Sequence, residues 1–216
     1  MRPALRLAVL ASGEGTILDG LASAIAGEAD ALRIVLVVSD RPGAGALERA
    51  RRHQLPATVL PYSATHLEGW SRRLTEELER SGVDLVVLAG FLSILPTSWV
   101  ERWHGRAVNL HPALLPRHGG RGMHGRRVHE AVLAAGDPET GVTLHLVTGA
   151  VDGGPSVAQR RMPVLPGDTP ESLRERLRPI EVALLVETVR RFADGSLPLP
   201  YPGRDDRARD GRPEAA

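Results

Sequence analysis

Apolar positions fall in short, nearly unbroken runs through the first half of the chain. Leu5–Ala11 is interrupted only by Arg6, and Arg33–Ser39, Ala57–Leu60 and Val83–Ala89 repeat the pattern. Segments with helical spacing lie between them: from Thr16 to about Ala26, Ala46–His53 and His66–Ser81. Strands that are apolar on both faces and alternate with helices predict a parallel α/β sheet covered on both sides. The second half is less regular. Ala107–His111 reads as a brief strand ending in polar residues, Leu114–Gly125 as a Gly/Pro-rich loop, and Arg127–Ala135 as a helix. Gly141–Val147 alternates like a half-exposed strand, and Ser156–Val164 reads alike. The two are expected to pair as a hairpin-like unit across Thr148–Pro155. Pro170–Ala193 reads as helix, which Pro179 should kink or divide.

The length, 216 residues, gives room for a single large core. A net charge of +1 and the lack of any basic block argue against a nucleic-acid partner. Cysteine is absent, which excludes disulfides, thiolate nucleophiles and cysteine metal sites. All 27 basic residues are arginine, so Schiff-base chemistry on lysine is excluded as well. No signal-peptide pattern precedes the first strand and no apolar run would span a bilayer. A soluble, cytoplasmic protein without membrane contact is therefore expected. Residues 1–203 are expected to form one domain, with halves meeting near 106/107, and the charged stretch Arg204–Ala216 to be frayed.

Two places carry candidate chemistry. Ser12-Gly13-Glu14-Gly15-Thr16 stands between a strand and a helix, where glycines permit close backbone approach and the helix start favours an anion. Leu18 occupies the position of the third glycine of a dinucleotide fingerprint, and no Gly-Lys-Ser/Thr ending follows. An ordinary turn remains an equal reading of this loop. Asn109 and His111 are two apart and share a face if extended, at a strand end where open α/β sheets bind ligands. An amide donor beside an imidazole suits a reaction that develops an oxyanion, although on these two residues alone a structural Asn–His pair at a strand end is the better reading. Asp152, in Val151-Asp152-Gly153-Gly154-Pro155, is a carboxylate that would raise the pKa of a nearby His111, or simply a turn residue. His53, His66, His104, His118, His124, His129 and His145 show no metal-ligand spacing and read as surface or packing residues; no metal is expected.

Leu88-Ala-Gly-Phe-Leu-Ser-Ile-Leu95, Val108-Asn-Leu-His-Pro-Ala-Leu-Leu-Pro116 and Val151-Asp-Gly-Gly-Pro155 together resemble the phosphoribosylglycinamide formyltransferase family, over about Leu7 to Phe192. The resemblance implies a Rossmann-like formyltransferase fold, mostly parallel with an antiparallel extension in the C-terminal half. It implies formyl transfer from 10-formyltetrahydrofolate, as co-substrate, to the amine of glycinamide ribonucleotide in purine biosynthesis. It assigns catalysis to Asn109, His111 and Asp152. It places Gly13, Glu14, Gly15, Thr16 and Ile17, with Arg178, Pro179, Ile180 and Glu181, on the ribonucleotide. Arg178 then supplies positive charge near Glu14, and Glu181 holds the amine. Arg72, Leu92, Ser93, Ile94, Leu95, Asn109 and Thr148, Gly149, Ala150, Val151 and Asp152 fall on the folate side. Glu14 and Ile17 stand where the family more often has asparagine, Ser93 replaces an arginine and Ala113 a serine, and the Gly119–Gly125 loop is longer. The competing readings are a formyltetrahydrofolate deformylase, a formyltransferase acting on another amine, and a non-catalytic nucleotide-binding module. The resemblance leaves a monomer and a homodimer equally open.

Overall fold

In a computed structural model, described over residues 3–199, five strands and their helices alternate in the first half. They run β1 (Leu5–Leu10), α1 (Thr16–Ala24), β2 (Leu32–Ser39), α2 (Gly45–Arg52), β3 (Ala57–Val59), α3 (Leu67–Arg80), β4 (Leu85–Leu88), α4 (Thr97–Arg102) and β5 (Ala107–His111). The second half adds α5 (Arg126–Ala134), β6 (Glu139–Leu146), β7 (Ser156–Pro163) and α6 (Pro170–Asp194). The strands form one sheet in the order β3-β2-β1-β4-β5-β6-β7. Pairing is parallel from β3 to β5, whereas β6 and β7 are antiparallel. The expected parallel sheet with an antiparallel extension is what forms. The expectation for Arg204–Ala216 lies outside the described residues.

Side-chain alternation along the strands builds a core on each face. Leu7 and Val9 of β1 pack with α1, α2 and α6, whereas Ala8 and Leu10 pack with Trp70, Leu74 and Leu78 of α3 and Trp99 of α4. The parallel strands are apolar throughout because helices cover both faces. The sheet order reverses between β1 and β4, so the loops after these two strands diverge and leave a crevice at their carboxyl ends.

Three expectations need correction. The six-residue helix α4 has no counterpart in the pattern reading. β6 is buried from Thr140 to His145 rather than half-exposed, because its polar residues face protein: Thr143 Oγ1 donates to the Ala113 carbonyl (2.7 Å) and accepts from Leu115 N (3.1 Å) and Gln159 Nε2 (2.8 Å). Finally, α6 is one helix with Pro179 inside it. Thr169 caps its start through a reciprocal bond pair with Ser172, Gly195 ends it in a left-handed conformation, and Leu173, Leu177, Leu184, Leu185 and Val189 anchor it to the core. Anchoring on both sides of the proline outweighs the single backbone bond that Pro179 removes.

Candidate active site

A cleft of about 730 Å³ opens along the carboxyl ends of β1, β4 and β5. Its first wall is the loop after β1. Gly15 has φ +71°, and a Cβ there would stand 2.5 Å from Ala46 Cα, so the position is closed to any side chain. Ala46 N donates to the Gly13 carbonyl and Arg49 Nε to the Glu14 carbonyl (2.6 Å), while Arg49 also pairs with Asp19. Ser12 ties this loop to the one after β4: its N–H donates to the Gly90 carbonyl and its Oγ accepts from Leu92 N. Gly15 caps α1 without a side-chain acceptor, so the helix starts without a side-chain oxygen on its first N–H groups. Leu92, Ile94 and Val151 line the cleft and remain exposed, at 39%, 45% and 39%. Ser93 lines it too, its hydroxyl donating to the buried carboxylate of Asp40.

Asn109, His111 and Asp152 do come together. β5 and β6 pair so that Asn109 faces His145 and His111 faces Thr143. His145 Nδ1 donates to its neighbour's carbonyl (Leu146, 2.9 Å), which leaves Nε2 to accept from Asn109 Nδ2 at 3.0 Å. Asn109 Nδ2 also donates to Asp152 Oδ1 at 3.3 Å. Asp152 Oδ2 accepts from Gly120 N (3.0 Å) and lies 3.5 Å from His111 Nδ1. His111 Nε2 donates to the His118 carbonyl (2.8 Å), and His118 is itself held by Asp137. Asp152 has φ +53°, a left-handed conformation costly for a residue with a side chain. Such strain persists where the surroundings impose it, as here through Gly120, Asn109 and both histidines.

The charges of the pair do not follow the sequence expectation. Burial lowers the His111 pKa below its ordinary value, and the opposing pull of Asp152 does not overcome it. The expected rise is therefore not found: His111 is nearly sealed, at 3% exposure, and desolvation penalises the imidazolium more than one carboxylate at 3.5 Å favours it. Burial also works against the Asp152 carboxylate, but His145, the His111 charge and the Gly120 N–H more than offset it and hold its pKa below the usual range.

Of the remaining predicted residues, Gly13–Ile17, Leu92–Leu95, Thr148–Val151 and Glu181 line the cleft. Arg178 and Pro179 do not; they line a separate shallow groove with Asp19 and Arg49. Ile180 packs against the core. Arg72 is exposed on α3 and takes no part in the cleft wall. The α6 residue that faces the cleft with Glu181 is Arg174, seven positions earlier and so on the same helical face. Burial pushes the Glu181 carboxyl up to about 7, against the pull of Arg178 and Arg174. Sequence reasoning also missed His145 and His129 as parts of the site. The alternation of Thr143 and His145 in β6 was the available signal for the first, since an antiparallel partner of β5 must set its polar face against Asn109 and His111.

The arrangement offers a strand-end amide, a buried imidazole and a strained carboxylate beside a cleft with one backbone-rich end and one apolar rim. The chain belongs to the formyl transferase family, whose model matches residues 5–189. It is 35% identical to the phosphoribosylglycinamide formyltransferase of Escherichia coli K12, over 90% of both chains. It is 37% identical to the chloroplastic phosphoribosylglycinamide formyltransferase of Arabidopsis thaliana, over 85% of this chain and 64% of that one. The crystal structure of phosphoribosylglycinamide formyltransferase from Anaplasma phagocytophilum superposes with a TM-score of 0.81 at 36% identity, covering 88% of this chain and 87% of the other. The chain spans only 14% of the length of the trifunctional purine biosynthetic protein adenosine-3 of Drosophila pseudoobscura pseudoobscura, to which it is 37% identical over 91% of its own length.

Proposed function

We propose that the protein transfers the formyl group of 10-formyltetrahydrofolate to the primary amine of glycinamide ribonucleotide. The observation that carries this reading is the convergence of Asn109, His111 and Asp152 at the cleft, with Asn109 bonded to Asp152 and His111 Nδ1 3.5 Å from the same carboxylate. Attack of a neutral amine on the formyl carbon forms a C–N bond and places negative charge on the formyl oxygen. Collapse of that centre breaks the bond to the folate nitrogen, which leaves with the proton the amine gives up. Asn109 is the donor for the oxyanion. Its two amide hydrogens rest on His145 and, at a longer distance, on Asp152, and the longer bond is the one released to the reacting oxygen. His111 and Asp152 move the proton between amine and leaving nitrogen, with Asp152 favouring the protonated ring as it forms.

The exposed Leu92, Ile94 and Val151 support a flat, largely apolar ligand on that rim, as the folate ring system is. The backbone-rich start of α1 supports a phosphate at the other end. Arg174 supplies the cation there in place of Arg178: it lines the cleft, is exposed, and has no hydrogen bond or ion pair among the described residues. Residues 1–203 act as one unit in this reading, and metal ions have no part in it. The test compares kcat/KM for glycinamide ribonucleotide and its dephosphorylated analogue in wild type, Arg174→Ala and Arg178→Ala. The phosphate preference should shrink in Arg174→Ala and persist in Arg178→Ala. A wild type that does not distinguish the two acceptors would refute the phosphate end of the cleft.

A further inference from the structure

One residue in the cleft wall has no part in that chemistry. His129 lies on α5, is 3% exposed, and its Nδ1 is sealed without a hydrogen-bond partner among the described residues. Its helix neighbours toward the core, Val128 and Val132, are apolar and fully buried. A polar ring atom sealed among such neighbours costs the folded state, and an aliphatic side chain would fill the space without that cost. Packing therefore gives no reason for a histidine at this position. The other edge of the ring, bearing Nε2, is the part that remains to line the cleft.

Its charge state is set by the surroundings. Burial, then the charges of Arg174 and His111, bring the His129 pKa down to about 4, so the ring is neutral near pH 7. A neutral imidazole carries one N–H, and a sealed N–H without an acceptor is tolerated less well than a sealed lone pair. The proton thus belongs on Nε2, toward the cleft. His129 lines the same cleft as Arg174 and His111 and lies close enough to feel both of their charges.

We propose that His129 is a substrate-binding residue that donates a neutral hydrogen bond from Nε2 to an uncharged oxygen of the acceptor, a hydroxyl or an amide carbonyl, between its phosphate and its amine. This rests on the acceptor reading above and adds to it: the cleft recognises the middle of the acceptor as well as its charged end. The test uses the intact protein with His129→Leu and His129→Gln, measuring thermal stability and separate KM values for acceptor and formyl donor. His129→Leu should melt higher, by about 2–4 °C, because the sealed polar atom is gone. It should also raise the acceptor KM roughly tenfold, the effect of one neutral hydrogen bond, and leave the donor KM near wild type. His129→Gln keeps an N–H donor and should recover most of the acceptor KM. An unchanged acceptor KM in His129→Leu overturns the assignment, as does a lowered melting temperature with both KM values raised alike, which marks a packing role. A wild type inactive on every phosphoribosyl amine overturns the acceptor reading and this assignment with it, a pattern distinct from either variant result.

Discussion

Replacing Asn109 by alanine removes the proposed oxyanion donor and two hydrogen bonds that hold the site in its resting state. Loss of one such donor typically lowers turnover about 10²–10³-fold, or about 2.7–4 kcal/mol of transition-state stabilisation. The structural cost is separate. Asn109 Nδ2 serves His145 Nε2 at 3.0 Å and Asp152 Oδ1 at 3.3 Å, and both acceptors belong to residues less than a tenth exposed on their side chains. Stranding a buried polar group costs about 1–3 kcal/mol, and a chain of this size loses about 2–4 °C in Tm per kcal/mol. Asn109→Ala should therefore melt lower by about 2–12 °C and, assayed well below that temperature, turn over 10²–10³-fold more slowly with its acceptor KM changed far less. Single-turnover formyl transfer with saturating substrates, beside a thermal melt, separates the two effects. Wild-type turnover in folded Asn109→Ala would refute the oxyanion assignment. An unchanged Tm would refute the paired role of its amide.

Further perturbations reach other parts of the site. Asp152→Asn removes the one nearby charge that favours the His111 imidazolium, so the His111 pKa should fall further below its ordinary value; an NMR titration showing no fall would uncouple the two residues. Glu181 holds its proton to about pH 7 in the folded protein, against 4.5 for an ordinary carboxyl. The folded state therefore binds more protons than the unfolded one across that window, and this residue's contribution is complete below pH 4.5 and lost as pH rises to about 7. Denaturant midpoints of wild type relative to Glu181→Gln should fall over that range, and a flat difference would contradict the raised carboxyl. Gly15→Ala forces a Cβ to 2.5 Å from Ala46 Cα at φ +71°. It should cost at least about 1–2 kcal/mol from the backbone conformation alone, and a melt equal to wild type would show that the loop yields.

Much of this was legible in the chain itself, for reasons specific to each element. β1, β2 and β4 stood out because strands covered on both faces must be apolar at nearly every position. Asn109 and His111 were visible as a same-face pair, and the glycines around Glu14 as a loop of close approach. What escaped depended on contacts distant in sequence. His145 joins the site only through its register with Asn109, 36 residues away. That Arg174 rather than Arg178 lines the cleft could not be read ahead, because choosing between faces of α6 requires knowing which side of the helix meets the core. β6 was read as half-exposed because polar side chains that bind the Ala113–Leu115 loop carry the same alternation as those that bind water. The direction of the His111 shift was missed because depth of burial, unlike the presence of a carboxylate, is not written in local sequence. α4 is six residues long, too short for helical periodicity to declare itself.

The most direct test is to supply 10-formyltetrahydrofolate labelled with ¹³C in the formyl carbon, together with glycinamide ribonucleotide, and follow the label by NMR. Formyl transfer to the amine predicts that the label moves into a formamide on the ribonucleotide, that tetrahydrofolate forms in equal amount, and that His111→Ala abolishes both. Label released as formate whether or not the amine is present would show that water is the acceptor, and would contradict the function proposed for this cleft.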